Sequence, residues 1–275
     1  MSEARSYWEE IIREYSECEL TKEGDKLVAM SAIAKEISML GGWGENLAGL
    51  WRSDILPDLL WLTRSDHKKA KEGLNWPCRP GVYRAPSWSW ASIDGPINWP
   101  KFPQEPSKPT DDDYMFVTFL SAKIDHPTSD LFGEVRSAEL RLAGPLRTFF
   151  LATQFFYDDG EGEGEEDDND NDNDDGLWSR QIGILSNQSQ SFMFVSSGGD
   201  TEHRTETTWN IYFDNLGHQC SRDEHIHYLV FCRDKGGEEA EHCWWGLLLQ
   251  PTGIRKGQFR RIGILHLYTN LENPP

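Results

Sequence analysis

The apolar residues of this chain change their spacing near Trp76, and that change constrains the fold more than any other feature. Before Trp76 they recur at helical intervals, whereas after it they alternate with polar residues in short runs bounded by Pro and Gly. Amphipathic helices need a partner surface, and many strands without helices between them are typical of antiparallel sheets. We therefore predict an α+β fold: a helical subdomain, residues 1–75, packed on an antiparallel β-sandwich or barrel-like β domain, residues 76–275.

Three helices are predicted in the first part. Ser6 and Glu9 have the spacing of a capping box at the start of the first helix. Thr21 is the candidate cap of a second helix, which should end at Gly41–Gly42 because glycine readily adopts the left-handed conformation that terminates helices. A third, shorter helix is predicted over Ile55 to Leu62.

Ten alternating runs predict strands in the second part. Turn residues separate them, and no helical pattern intervenes, which favours antiparallel pairing. The runs are Ser87–Ser92, Met115–Ile124, Ala138–Leu142, Leu146–Leu151, Trp178–Leu185, Phe192–Val195, Trp209–Phe213, Ile226–Arg233, Trp244–Gln250 and Phe259–Tyr268.

The segment from Asp158 to Asp175 contains 12 acidic residues and no Lys or Arg. Such a segment cannot bury apolar area, so we predict a disordered acidic insertion at about 158–176 between two strands. Its alternating Asp and Asn resemble a calcium loop, but an EF-hand requires flanking helices and strands are predicted here. Outside the segment 34 acidic and 27 basic residues remain. No basic stripe is left to bind a phosphate backbone, so nucleic acid is not an expected partner.

The sequence also bears on cellular location. No apolar run approaches the ~18 residues that a membrane span requires, and the first ten residues have no apolar signal-peptide core. The five Cys are widely scattered, which is typical of reduced thiols. We expect a cytoplasmic protein that does not enter a membrane.

Residues able to support catalysis or bind metal are present, but their spacing is not diagnostic. A loose group of imidazoles and thiols could suit zinc: His218, Cys220, His225, His227, Cys232, His242 and Cys243. Carboxylates that could serve a hydrolase are Asp94, Asp125, Asp214, Asp223 and Glu224. Ser89 or Cys232 could act as a nucleophile with a distant His. None of these forms a defined motif, so we expect no catalytic residue, bound metal or cofactor.

A series of short segments carries a resemblance to a known family. In order they are Trp8-x-x-Ile11, Tyr15-Ser16, Leu20-Thr21, Asp25 to Ala29, Ile33-Ala34, Ala48 to Trp51, Leu59 to Trp61, Tyr83 to Ser92, Gly246 to Pro251 and Phe259 to Gly263. The series resembles the region that follows the effector domain in fungal heterokaryon-incompatibility proteins. The most specific element is APSWSWAS, residues 85–92, after an LLW segment.

The resemblance implies a role in fungal non-self recognition, in which incompatible cell fusion triggers programmed cell death. In the family the effector domain precedes the segment that matches Trp8, and seven residues precede Trp8 here. We therefore expect a noncatalytic recognition or regulatory module without effector activity of its own. Its expected partner is a protein, for example one that bears the effector domain.

The motif Pro86-Ser87-Trp88-Ser89-Trp90 also has a physical interpretation of its own. In a strand, Trp88 and Trp90 would share one face and Ser87 and Ser89 the other, with Pro86 at the strand start. We interpret both indoles as core, packed against the N-terminal helices. The alternative is an exposed platform for sugar or peptide, which would make the chain a β-sandwich carbohydrate-binding protein or a hydrolase. The locations of Trp88, Trp90, Trp244 and Trp245 distinguish the two.

Overall fold

A computed structural model describes residues 2–63, 77–100, 115–153, 182–186, 208–215, 225–235 and 242–269. It confirms the α+β class: the described α-helices lie within the first 58 residues, with short strands between them, and the long antiparallel strands begin at Thr118. The acidic insertion predicted at about 158–176 and the strand predicted at Phe192–Val195 lie outside the described residues. No helix in the described ranges is long and apolar enough to cross a membrane.

The three α-helices of the described chain are α1 (Ser2–Ser16), α2 (Lys26–Met39) and α3 (Ile55–Asp58). Short 3-10 helices cover Glu23–Asp25, Arg52–Asp54 and Trp90–Ser92.

Two of the predicted helix starts are wrong, one predicted end is confirmed, and the third helix ends at Asp58 and not at Leu62, which lies in a strand. Because α1 begins at Ser2, Ser6 lies inside it and does not cap it. The second helix begins at Lys26, after a 3-10 turn, and not at Thr21. It ends before Gly41 and Gly42, whose φ angles of 81° and 85° are left-handed, as expected for a helix terminator.

Within the described residues, the strands form four antiparallel sheets. β1 (Asn46–Leu47) pairs with β2 (Leu50–Trp51), β3 (Leu62–Thr63) with β4 (Ile97–Asn98), and β5 (Thr118–Asp125) with β6 (Ser137–Ala143). The remaining strands are β7 (Leu146–Thr153), β8 (Ile182–Ser186), β9 (Thr208–Phe213), β10 (His225–Lys235), β11 (His242–Pro251) and β12 (Phe259–Thr269). They form one six-stranded sheet in the order β8-β7-β10-β11-β12-β9, which does not close into a barrel within the described residues.

The six-stranded sheet is apolar on both faces. Leu229 and Phe231 belong to one buried cluster, whereas Tyr228 and Val230 belong to another. Successive residues of a strand point to opposite faces, so this alternation places one cluster on each side of the sheet.

The helices and the large sheet share the first of these clusters. It contains Trp8 of α1 and Leu27 of α2 together with Phe231 of β10 and Ile264 of β12. The helical residues and the β residues therefore bury their apolar surfaces against one another, as the amphipathic pattern of the helices requires.

Candidate functional site

The family-like motif forms a turn followed by a 3-10 helix, so the strand predicted at Ser87–Ser92 is wrong. The Ser89 hydroxyl accepts a hydrogen bond from the Ala91 N–H at 3.1 Å and donates to the Ala48 carbonyl at 2.6 Å. The Ser92 hydroxyl donates to the Ser89 carbonyl at 2.8 Å. Serine side chains that bond to nearby backbone compete with strand pairing, and here they hold the chain in a tight turn.

The two motif tryptophans differ in their surroundings. Trp90 is completely buried in the shared core, and its indole N–H donates to the Gly49 carbonyl at 2.9 Å. The same carbonyl accepts the indole N–H of Trp8 at 3.2 Å. Trp88 is only half-buried, and its carbonyl accepts the indole N–H of Trp61 at 2.9 Å. The prediction that both indoles are core is thus correct in full for Trp90 and in part for Trp88.

The acceptor at Gly49 depends on an unusual turn. Ala48 and Gly49 connect β1 to β2 with φ angles of 51° and 90°, the left-handed values of a tight hairpin turn. A Cβ atom on Gly49 would lie 2.8 Å from the Trp90 indole nitrogen, so only glycine allows the backbone to approach the ring this closely.

A buried guanidinium connects the motif to the large sheet. Arg261 of β12 forms two bonds to the Asp214 carboxylate, from Nε to Oδ2 at 3.1 Å and from Nη2 to Oδ1 at 3.0 Å. Its Nη1 donates to the Leu59 carbonyl at 2.6 Å and its Nη2 to the Trp61 carbonyl. The guanidinium carbon lies 3.4 Å from the centre of a Trp61 ring, a cation–π contact.

The backbone of Arg261 also contacts the motif, because its N–H donates to the Ser87 hydroxyl at 3.1 Å. Burial lowers the pKa of the Arg261 side chain, and the neighbouring Asp214 opposes that shift. We call the set of Leu59, Trp61, Ser87, Asp214 and Arg261 the arginine junction. It links the LLW segment, the motif and strand β12.

A second buried charge group lies near the motif. Arg84 donates from Nε to the Ala91 carbonyl at 2.6 Å, and its Nη2 lies 2.5 Å from the Asp94 carboxylate. Lys26 Nζ is 3.6 Å from the same carboxylate. Burial, more than the nearby Arg84, lowers the pKa of Lys26 to about 8.

A third ion pair joins the first turns of α1 to the last residue of α3. Arg5 Nε is 3.1 Å from the Asp58 carboxylate, which also accepts the Trp51 N–H at 3.4 Å. Burial raises the pKa of Asp58 to about 7, because the contact with Arg5 compensates only part of the lost hydration. This carboxyl group is buried in the interior and acts through contacts within the fold.

The carboxylates proposed for a hydrolase are engaged in separate ion pairs and do not form one group. Asp94 and Asp214 are each engaged by an arginine, and Asp125 pairs with Arg136 at the surface at 3.3 Å. Asp223 and Glu224 lie outside the described residues. Ser89 directs its proton to the Ala48 carbonyl, so its hydroxyl is not arranged as a nucleophile.

The described part of the chain holds no group of three or more His, Cys, Asp or Glu residues that could bind a metal ion. His227 bonds through Nδ1 to the Thr148 hydroxyl at 2.9 Å, and Cys232 and Cys243 are buried. His225 and His242 are the first residues of β10 and β11, while His218 and Cys220 lie outside the described residues. The described side chains therefore do not bring the His and Cys residues of the predicted zinc group together.

The tryptophans of β11 are buried rather than arranged along an open groove. Trp244 is packed in the second apolar cluster, and Arg233 lies 5.5 Å from its ring. Trp245 stacks on His266 with 3.6 Å between ring centres. Of the four tryptophans whose locations were to distinguish core from platform, Trp90, Trp244 and Trp245 are thus buried and Trp88 is half-buried.

Sequence reasoning did not identify the arginine junction. Asp214 entered only as a possible hydrolase carboxylate, and Arg261 only as part of a family-like segment. The signal that could have found it is an arginine at an inward position of an otherwise apolar strand, since a buried charge requires a partner. Comparison with protein-family models, curated proteins and solved structures gives no match to this chain.

Proposed function

We infer that this chain is a noncatalytic recognition or regulatory module of the type that follows the effector domain in fungal heterokaryon-incompatibility proteins. Its proposed setting is the cytoplasm, and its proposed role is in non-self recognition that leads to programmed cell death. The proposed partner is a protein that bears the effector domain, and no nucleic acid, membrane, metal or cofactor is required.

The arginine junction is the observation that carries this proposal. Segments far apart in the sequence, around Trp61, Ser87 and Arg261, carry the resemblance and also contact one another in the interior. Their polar groups are used to hold the fold together, since the Arg261 donors and the indole N–H of Trp61 all bond to groups of the same chain. A rigid scaffold of this kind supports recognition by its surface.

The catalytic alternatives lose support for the same reason. Asp94, Asp214 and Ser89 are occupied by contacts with neighbouring residues. A reaction would need a nucleophile, a base and an open site in mutual reach. We therefore assign the contribution of this chain to binding and regulation.

Expression of residues 1–275 in a filamentous fungus that lacks other incompatibility proteins tests the proposal. The expected result is normal growth without vacuolation, as for an inert protein of equal size and charge. Coexpression with an effector-bearing incompatibility protein should allow the two to be purified together. Cell death caused by the folded chain alone would contradict the noncatalytic assignment.

The acidic segment at 158–175 could bind basic proteins nonspecifically and so imitate a partner. A Trp90→Ala variant keeps that segment and its charge but loses a fully buried indole. If the interaction requires the folded module, the variant should no longer purify with the partner. Equal recovery with the variant would show that the contact is only electrostatic.

A further inference from the structure

Arg79 is a mostly buried cation whose donors are not used by the described chain. Its side chain is 27% exposed, and its Nη2 lies 3.9 Å from Asp214 Oδ2, which is too long for a hydrogen bond. Both oxygens of that carboxylate already accept bonds from Arg261, at 3.1 and 3.0 Å. Within the described residues, no other acidic group pairs with Arg79 and no acceptor bonds to its guanidinium. A guanidinium withdrawn from water to this degree normally has its donors bonded.

The charged groups near Arg79 leave an excess of positive charge. Burial lowers the pKa of the Arg79 guanidinium, Asp214 opposes that shift, and the charge of Arg260 adds to it. Arg260 itself donates from Nε to a neutral amide oxygen at 2.9 Å. Against the three positive charges of Arg79, Arg260 and Arg261, the described residues here set the one carboxylate of Asp214. Two positive charges therefore remain unbalanced at this place.

The chain holds the backbone of Arg79 in place from both sides. Cys78, before it, exchanges two backbone hydrogen bonds with Asp94, at 2.9 and 2.8 Å. Pro80, after it, restricts the backbone of Arg79 to extended conformations. A side chain on a fixed backbone loses less conformational freedom when a ligand binds, so Arg79 is prepared to bind an anion.

The class of anion follows from shape and charge. The planar guanidinium presents parallel N–H donors that match two oxygens of a carboxylate or of a phosphate group. A phosphate monoester carries a charge of about −1.5 to −2 at pH 7, whereas a carboxylate carries a single negative charge. The excess of two positive charges therefore favours phosphate. Arginine clusters recognise phosphorylated motifs by the same chemistry.

We propose that Arg79, supported by the charge of Arg260, binds a phosphoryl group next to the arginine junction. The phosphoryl group belongs to a free phosphate ion or to a phosphorylated side chain of a partner protein, which present the same oxygens. Arg79 contacts the ligand, and Arg260 attracts it. This proposal is independent of the function proposed above.

The charge of the whole chain makes phosphate binding diagnostic of a local site. The formal net charge of −19 repels anions at long range. Salt limits that repulsion to about 8 Å at physiological ionic strength, but it does not turn repulsion into attraction. Saturable binding of phosphate must therefore come from a local group of positive charges.

Isothermal titration calorimetry of residues 1–275 tests the proposal. The probe is N-acetyl-O-phosphoserine amide, at constant ionic strength and above the second pKa of the phosphate, which is about 6. Arg79→Gln should raise the dissociation constant about tenfold or more, because it removes the charge and the paired donors. Arg255→Gln is the matched control. Arg255 is an exposed arginine between β11 and β12 that pairs with Glu139 at 3.0 Å, and its loss should leave the dissociation constant unchanged.

Two further variants separate the roles of the arginines. Arg79→Lys keeps the charge but not the planar fork, so its dissociation constant should lie between those of the wild type and Arg79→Gln. Arg260→Gln removes only an exposed charge, so the dissociation constant should rise about fivefold or less. Circular dichroism verifies the fold of each variant. If Arg79→Gln does not fold, Arg79→Lys decides the outcome, and unchanged affinity in it would overturn the role of the guanidinium.

Inorganic phosphate and acetate identify the ligand. Inorganic phosphate that binds as tightly as the phosphoserine probe would assign the site to the free ion, and weaker binding would assign it to a phosphorylated side chain. Either result supports the proposal. Acetate that binds as tightly as the probe would overturn the choice of phosphate. A folded wild-type chain that does not bind the probe, or a folded Arg79→Gln variant that binds it like the wild type, would overturn the site itself.

Discussion

Arg261 and Asp214 form a two-bond ion pair in the protein interior, and each side chain is only 1% exposed. The pair lies where strand β12 meets the LLW segment. A buried ion pair is costly to desolvate, and its stability depends on hydrogen bonds that satisfy the remaining donors. The Leu59 and Trp61 carbonyls provide those bonds to Arg261.

Loss of one member of this pair should strongly destabilise the fold. Arg261→Met should lower the free energy of unfolding by about 3–5 kcal/mol, because it leaves the Asp214 charge buried with less compensation. Arg79, 3.9 Å from Asp214, should moderate the loss only slightly because of the longer distance. Urea unfolding followed by tryptophan fluorescence measures the change. Arg136→Met breaks the exposed pair with Asp125 and should cost about 0–1 kcal/mol. Equal effects of the two variants would refute the structural role of the junction.

The turn at Gly49 should tolerate no side chain. Gly49→Ala places a Cβ 2.8 Å from the Trp90 indole nitrogen at a φ of 90°, so overpacking of about 1–3 kcal/mol adds to the left-handed strain. Gly41→Ala is the control, since its φ is 81° but nothing lies within 4 Å of its Cβ position. It should cost only about 1–2 kcal/mol of backbone strain. Thermal unfolding of both variants gives the difference. If Gly49→Ala is no more destabilising than Gly41→Ala, the close approach to Trp90 is not limiting.

Asp58 should make the fold less stable as the pH rises from about 4 to 7. Its pKa is about 7 in the folded protein and 3.8 for the ordinary group, so the folded state binds the proton more tightly. Stability from this group is therefore complete below pH 3.8 and decreases as the pH rises toward 7, by on the order of 4 kcal/mol. Asp58→Asn should remove this dependence while retaining an acceptor for the Trp51 N–H. Denaturant midpoints of both proteins across this pH range provide the measurement, and identical pH profiles would contradict the prediction.

His266 should make the fold less stable as the pH falls, the opposite of the effect of Asp58. Burial lowers its pKa from 6.5 to about 4 in the folded protein. The unfolded chain then binds a proton more readily, so the stability contributed by neutral His266 is complete above pH 6.5 and is lost as the pH falls toward 4. The loss should be on the order of 3 kcal/mol over that range. His266→Phe keeps an aromatic ring against Trp245 and should remove this component. Subtracting its pH profile from that of the wild type isolates the effect, and a flat difference would disprove it.

The elements that could be predicted from the sequence are those specified by local pattern. The short apolar runs of β10, β11 and β12 indicated strands close to their observed bounds, because a strand that is buried on both faces carries apolar residues at successive positions. The end of α2 at Gly41–Gly42 was predictable for a similar reason, since glycine favours the left-handed conformation by itself. The apolar core that the helices share with the large sheet was also predictable, because amphipathic helices need a partner surface.

The tertiary structure alone decided the conformation of the motif and the partners of its buried charges. Alternation at Ser87–Ser92 predicted a strand, but Ser89 bonds to Ala48, which lies 41 positions earlier, and the segment turns instead. Arg261 meets the Leu59 carbonyl across 202 positions of sequence. Local propensity extends over only a few residues, whereas a buried donor must find its acceptor wherever the fold brings one within about 3 Å. The sequence therefore determined the periodic elements, and the packing of distant segments determined which polar groups meet in the interior.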